Sequence, residues 1–588
     1  MNNVTFHPLE EITSAVASAA AAVEVFDEDF HPEIRPADPR FGDFQANGIL
    51  PFSKRKNLNP REAASKLVDY MAETKSLSPN CFELEISGPG FINFRMTQSY
   101  LKSWLNTFAN KSALQKAAGN ILGGHRFVVD FSSPNTAKEL SVAIIRTTGL
   151  GEAICRILTF CGGHVIRDNH IGDWGTQFGV LIMAIKQAHP GPNHLKGATI
   201  TDIEQLYVEG NKRAKADPAA MNLAREERRK LQNGDPENLK LWETINTISY
   251  ASFQEIYDRL NIRFDLVQGE SFYRNKSEFV YNELSQLGIA EESEGALVIF
   301  HPEHPRFKDQ PAIIRFSDGS SNYQTSDLAT IHHRVEQFKP DEIIYVTDSR
   351  QIDHFEQLFL TSQKWFAAKN KKLPKLVHTN FGTILGENGK AMRTRDGAPM
   401  KLKDLLDEAI ERAFKVVTEK NPNLSEDERR NIGRVVGLGA VRYSDLMQNR
   451  TSDYIFSWNK MLSLEGNTAP YLLYAVARLY SIFRRAGVEA SYSDGEIDSL
   501  KTESEIQIAR KLIGFVAALE QTLADYRPHF LTTYLYELAG IFSTFYKTDK
   551  VLDSHPEIRS RRLALCAMTL NTLETGLHLL GLETLEQM

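Results

Sequence analysis

The chain has 588 residues, 42% of them hydrophobic and 24% charged, with a formal net charge of −7. That length holds about two to four folded units, and the balance excludes a disordered tail, a collagen-like fibre and a disulfide scaffold. An acidic total also excludes a surface that attracts nucleic acid everywhere, so such a partner must be held by local basic patches.

The first apolar stretch, Ile12 to Val25, is alanine-rich, follows Glu10 and Glu11 and contains Glu24. Acid where a signal peptide carries base marks a surface helix. No apolar run reaches the length that spans a bilayer, so no membrane contact is expected. The four cysteines, Cys81, Cys155, Cys161 and Cys566, form no CxxC pair and suit buried thiols of a reducing cytoplasm.

Residues 1–112 read as a small α+β unit. A Pro-rich stretch from His31 to Pro39 precedes Phe41-Gly42-Asp43-Phe44-Gln45-Ala46-Asn47-Gly48, and Phe82 to Ile86 alternates like a strand before the Gly88-Pro89-Gly90 turn and Phe91 to Phe94. Gln115 to Gly124 is the expected linker.

The second unit is expected over 124–400. Phe127 to Phe131 is an apolar run of buried parallel-strand type. A turn at Ser132-Ser133-Pro134-Asn135 enters a helix-like stretch from Lys138 to Cys161, and His164 to Arg167 resumes as strand. Strand, helix and strand in so short a span make a βαβ unit, hence a parallel sheet with ligands at the strand carboxyl ends. Further strands fit Ala296 to Phe300, Ala312 to Phe316 and Glu342 to Val346, and a charged helical insertion spans about 201–261.

Residues 401–588 read as helices: Leu402 to Val417, Glu426 to Val436, Tyr471 to Ala486, Glu503 to Tyr526, Leu535 to Tyr546 and Arg559 to Leu580. A helical bundle without chemistry of its own fits this region.

Generic motifs fail. There is no GxxxxGK[ST] loop and no HExxH helix, and Gly149-Leu150-Gly151 sits inside a helix pattern instead of at a strand-to-helix turn. His301-Pro302-Glu303-His304 reads as a solvated loop and not a metal centre.

More specific are Ser132 to Glu139, Asp168-Asn169-His170, Ile171-Gly172-Asp173-Trp174-Gly175, Ser349-Arg350-Gln351, Asn449 to Phe456 and Glu465 to Tyr471. In this order they resemble the bacterial arginyl-tRNA synthetases. The 41–48 and 88–93 stretches are similar to that family's extra amino-terminal domain, and Gly581 to Met588 to its usual terminus. The resemblance implies a class I parallel nucleotide-binding sheet (α/β) with an α+β N-terminal domain and an all-α C-terminal domain that holds the anticodon. It implies ATP as substrate with Mg2+ held by phosphate oxygens and water, no protein metal cage and no tightly bound cofactor. L-arginine and tRNA-Arg are the implied partners of a cytoplasmic monomer.

The resemblance assigns arginine recognition to Asp130, Asn135, Tyr323, Asp327 and Gln351, with Glu270 as a further candidate. A guanidinium carries five donors and needs carboxylates and amide oxygens around it; each of these residues taken singly also fits a solvated polar residue or a cap. Gly172 and Asp173 are implied at the nucleotide, and Tyr471, Tyr474, Arg478 and Met588 at the tRNA. The two tyrosines also fit the core of a bundle. Arg484-Arg485 and Arg559-Ser560-Arg561-Arg562 fit either phosphate contacts or scattered surface charge.

The family's His-x-Gly-His motif is where this sequence departs, reading Ser141-Val142-Ala143-Ile144. Serine donates one hydrogen bond, isoleucine's side chain none, and Ala143 adds a methyl group beside the adenine. Lys138, Ser141, Lys390 and Arg393 are the implied catalytic groups, with Arg395 in the same Gly389-to-Arg395 segment, which matches the place but not the wording of Lys-Met-Ser-Lys. Two functions follow: an ATP-dependent arginine–tRNA ligase, or a paralogue that keeps arginine and tRNA binding with adenylation lost or changed.

Overall fold

A computed structural model describes residues 4–588 except 39, 190–194, 318, 321, 391, 393–398, 491–496 and 553–554. The chain divides into two compact units, one of residues 122–462 and one built from both ends, 1–121 with 463–588.

The unit 122–462 is organised by a four-stranded, all-parallel sheet in the order Lys375–His378, Glu342–Tyr345, Arg126–Asp130, His164–Asp168. Its central strands are Val- and Ile-rich and buried, as a sheet covered on both faces requires. The register aligns Tyr345, Asp130 and Asp168 across the carboxyl edge. The Ile144–Phe160 helix that follows the Arg126–Asp130 strand is almost wholly buried. A Cβ on Gly151 would stand 2.3 Å from the ring of Phe131, so only glycine lets helix and strand end meet.

The helical insertion is present as Ile200–Ala216, Pro218–Gln232 and Pro236–Arg259. Thr199 and Asp202 close a reciprocal capping box at its start, and Pro occupies the first turn of the next two helices.

Several expectations are corrected here. Ala296–Ile299 and Ala312–Arg315 are strands, but they pair antiparallel with Glu291–Ser293 in a separate small sheet. The first helix starts at Ile144, not Lys138, because residues 140–142 are drawn out to pair with 400–402. The expected division at 400 falls inside this unit. Leu402–Lys420 and Glu426–Leu446 pack on each other, and the second packs on Ile144–Phe160 through a buried Arg146–Asp445 pair, 2.7 Å apart.

The other unit holds an antiparallel sheet in the order Ile34–Pro36, Phe44–Ala46, Phe91–Met96, Phe82–Ser87, with helices from Pro8–Ala20 to Lys111–Ala118. That last helix occupies part of the expected linker. Its carboxyl-terminal part is a bundle of Ala469–Ala486, Glu503–Ile513, Phe515–Asp525, His529–Thr548 and Pro556–Leu579. The expected 503–526 helix breaks at Gly514. Arg561 and Arg562 are buried on Glu505, and Arg562 also on Asp549. They hold the bundle together and are neither phosphate contacts nor surface charge. Among the described residues no helix is long and apolar enough to cross a membrane.

Candidate active site

The loop after the Arg126–Asp130 strand is held in an unusual shape. Ser132, Ser133 and Ala137 have φ of 73°, 47° and 65°, left-handed values that cost non-glycine residues about 1–3 kcal/mol each. Side chains from several elements hold them there. The Ser132 amide donates to Thr147 (2.9 Å), the Ser133 amide to Asn169 (3.0 Å) and the Ala137 amide to Ser249 (3.0 Å). Asn135 is thereby presented to solvent and bridges to Gly172. A Cβ on Gly172 would lie 2.1 Å from the Asn135 side-chain oxygen, so a larger residue there would push the Asn135 side chain out of its place.

Beneath this loop Arg334, fully buried on the Tyr323–Phe338 helix, joins the two aspartates of the sheet edge. One guanidinium nitrogen lies 2.6 Å from Asp130 and 2.8 Å from Asp168, and Nε lies 3.1 Å from Asp168. Burial opposes its charge, but the two carboxylates drive its pKa well above the usual value. Asp130 also accepts from the Ser133 hydroxyl at 2.8 Å. The carboxylate expected to meet an incoming guanidinium is thus already held by one of the chain's own.

Asp173, expected at the nucleotide, is likewise internal. It is buried and accepts from the Ser271 amide (2.8 Å), the Ser271 hydroxyl (2.6 Å) and the Tyr250 hydroxyl (3.1 Å), so it ties the loop around Gly269 to that of Gly172.

Glu270 is the exception among the acids. Its amide donates to the Ile171 carbonyl, beside Gly172, and no basic side chain among the described residues pairs with it. Burial, with the nearby charges of Asp327 and Asp173, pushes its pKa up to about 8. Asp327 lies one turn beyond Tyr323 on the same helix and meets the Nε2 of His354 at 2.7 Å. Tyr323 is 62% exposed. Gln351, also exposed, ends the turn that leads into the His354 helix. Asn135, Glu270, Tyr323, Asp327 and Gln351 therefore sit on connected segments, with the acids Glu270 and Asp327 near each other.

The altered tetrapeptide lies at the start of the Ile144–Phe160 helix. Val142 is buried, Ser141 and Ile144 half-buried and Ala143 exposed. Ser141 bridges antiparallel to Lys401, whose ammonium pairs with Glu139 and Glu204. Lys138 places its ammonium 5.1 Å from the Tyr207 ring centroid. Lys390 is exposed; Arg393 and Arg395 lie outside the described residues. His301 is not the solvated residue expected but fully buried, 3.2 Å from the Thr361 hydroxyl. Among the described residues the only His and carboxylate group compact enough for a metal is His7, Glu10 and Glu520, in the other unit.

In the helical bundle Tyr474 is 43% exposed, and Arg478 lies 4.7 Å over its ring and 5.6 Å from that of Tyr546. Tyr471 is half-buried edge-on to Tyr536. Met588 is half-buried, and Arg484 donates to the Glu586 carbonyl at 3.0 Å. Sequence reasoning missed Arg334, His354, Tyr536 and Tyr546. The His354 signal was available, three residues after Gln351.

The parallel sheet, the α+β amino-terminal part and the helical carboxyl-terminal part are those of a class I aminoacyl-tRNA synthetase. The family model for the class I (R) tRNA synthetase catalytic domain matches residues 105–458, that for the arginyl tRNA synthetase N terminal domain 10–96, and that for the DALR anticodon binding domain 472–588. The chain is 39% identical to an arginine–tRNA ligase of Chromobacterium violaceum over 100% of both chains. It is 40% identical to one of Marinomonas sp. over 94% of this chain and 95% of that one. The arginyl-tRNA synthetase of Thermus thermophilus superposes with a TM-score of 0.79 at 26% identity, covering 99% of this chain and 100% of that one. That of Plasmodium falciparum gives 0.84 at 27%, covering 100% of both. The chain belongs to the arginyl-tRNA synthetases.

Proposed function

We propose that the chain attaches arginine to tRNA-Arg in the cytoplasm with ATP and Mg2+, and that the uncompensated carboxylate of Glu270 is the observation that carries the arginine part. A half-buried acid with two acidic neighbours and no basic partner among the described residues is a poor way to stabilise a fold but a ready seat for a guanidinium. Glu270 and Asp327 supply charge, Asn135 and Gln351 amide oxygens, and Tyr323 a ring at the mouth. Asp130 acts one step back, holding the Ser133 turn that presents Asn135.

In this reading the arginine carboxylate attacks the α-phosphate of ATP and pyrophosphate leaves, and a ribose hydroxyl at the tRNA end then takes the arginyl group from the arginyl-adenylate and releases AMP. Positioning and electrostatics do the work, with no covalent enzyme intermediate. Lys138, Ser141, Lys390 and Arg393 are assigned to the phosphates, with the first amides of the Ile144–Phe160 helix beside them. Magnesium is assigned to phosphate oxygens and water, since Glu139 and Glu204 beside Ser141 are engaged by Lys401. Tyr474 and Arg478 offer a stacking face for an unpaired base. Tyr474→Ala is expected to weaken tRNA-Arg binding by about 1–3 kcal/mol, read by filter binding, with arginine affinity unchanged.

Charging of tRNA-Arg with labelled arginine by the purified chain tests the activity. A second reading, binding without adenylation, is favoured by one observation, the absence of histidine donors in the 141–144 segment; no charging with arginine and tRNA both bound would select it.

The pocket itself predicts a pH dependence. With its pKa near 8, Glu270 is mostly protonated at neutral pH, and a guanidinium favours the ionised form. Arginine binding is expected to release a proton and to tighten about tenfold between about pH 7 and pH 9, while Glu270→Gln flattens the profile. The stability effect has the opposite sign. A raised pKa means that the contribution of Glu270 to the unliganded fold is full below about pH 4.5 and lost as pH rises through 8. Glu270→Gln is therefore expected to melt higher than the unaltered chain at alkaline pH, and calorimetry with and without arginine reads both effects.

A further inference from the structure

Asp327 has a fixed partner that neither the sheet edge nor the motif residues supply. His354, near the start of the Ile352–Ala368 helix, places Nε2 2.7 Å from Oδ2 of Asp327. Its side chain is 12% exposed and that of Asp327 23%. The Tyr323 ring stands edge-on to the imidazole with centroids 4.7 Å apart, and Phe355 stands against it at 5.1 Å. One histidine thus touches both residues that the Tyr323–Phe338 helix turns toward the pocket.

A ring nitrogen at this distance from a carboxylate oxygen serves as its hydrogen-bond donor, so Nε2 is the atom that engages Oδ2. A carboxylate on a short side chain rotates, and two-point recognition of a planar guanidinium depends on its angle. A donor that occupies Oδ2 stops the rotation and leaves Oδ1 to the ligand. The same ring backs Tyr323, whose face is otherwise open to solvent.

We propose that His354 is a positioning residue that makes the pocket selective for a charged guanidinium: it pins Oδ2 of Asp327, leaves Oδ1 for the ligand and supports Tyr323 as the wall beside it. This rests on the assignment of arginine to the pocket made above.

The test is calorimetric titration of the full chain with L-arginine and with L-citrulline, whose neutral urea group has nearly the same shape. His354→Ala is expected to weaken arginine about tenfold and to leave citrulline nearly unchanged, so that the ratio of the two dissociation constants falls about tenfold. His354→Gln, whose side-chain amide donates from near the Nε2 position, is expected to restore most of that ratio; a general packing defect would weaken both ligands together and would not be rescued. Asp327→Asn, measured alongside, is expected to remove the preference for arginine. An unchanged ratio in His354→Ala, with preference lost in Asp327→Asn, overturns the role of His354 alone. An unchanged preference in Asp327→Asn overturns the arginine pocket, and this inference with it. Should His354→Ala fail to fold, His354→Gln decides: a folded Gln variant with the alanine-like ratio expected above counts against the donor role.

Discussion

Replacing Ser141, Ala143 and Ile144 by His, Gly and His is expected to raise arginine-dependent exchange of pyrophosphate into ATP by about 100-fold or more. One hydrogen-bond donor aimed at a developing charge is worth roughly 100- to 1000-fold in rate, and the variant adds a ring donor at two positions. The backbone should tolerate all three changes. Ser141 makes its bridge to Lys401 through the main chain. Ala143 is exposed with φ −58°, a shape open to glycine, and an alanine-to-glycine change at a helix start is worth only a few tenths of a kcal/mol. Ile144 is half-buried at the first helical position, so its side chain leaves little core behind. Arginine affinity is expected to stay unchanged, because the substituted residues are not among those assigned to arginine. Ready exchange at equal rates in variant and unaltered chain would show that Lys138 and the helix amides already do the histidines' work.

The largest effect on stability is expected at Arg334. Arg334→Met keeps most of the volume but leaves Asp130 and Asp168 facing each other, buried, without their cation. Breaking a buried pair from one side costs about 3–5 kcal/mol, because a charge is left without compensation. The urea transition of the 122–462 unit is the place to read it, since a chain of two units has no single unfolding free energy. The deficit should shrink as pH falls and the stranded carboxylates take up protons. Arg334→Met with Asp130→Asn and Asp168→Asn should recover much of it, as removing a whole buried ion pair is far cheaper than halving one. Arginine binding should weaken as well, since Asp130 fixes Ser133 and with it the turn before Asn135. A variant as stable as the parent at neutral pH would overturn the role of Arg334 as the cation that holds the two aspartates together.

What was legible in the sequence follows the physics of each residue. The Phe127-Val128-Val129 run is of the kind that makes a buried parallel strand, and the helical segments after 400 announced themselves by apolar spacing. The division at 400 did not, because apolar spacing shows that a helix has a buried face but not which partner buries it. Arg334 was invisible for a related reason: arginine in a helix usually lies in water, and only the register that brings two aspartates together on adjacent strands makes burial worthwhile. Asp130 was legible as a strand end and Asp173 as part of a motif after the next strand, yet neither position says whether a carboxylate is open or already occupied. Glu270, placed last among the arginine candidates from sequence, is the acid for which no basic partner is found among the described residues.

One consequence concerns the order in which the chain is made. The unit that unites residues 1–121 with 463–588 includes ties such as Asp43 to Arg510, 3.0 Å apart, between segments that leave the ribosome far apart in time. At synthesis rates of about 5–20 residues per second, the first part emerges on the order of tens of seconds before its partner helices. The whole parallel-sheet unit is translated in that interval. The amino-terminal segment must therefore stay soluble without its other half, a demand on its surface that no view of the finished molecule reveals.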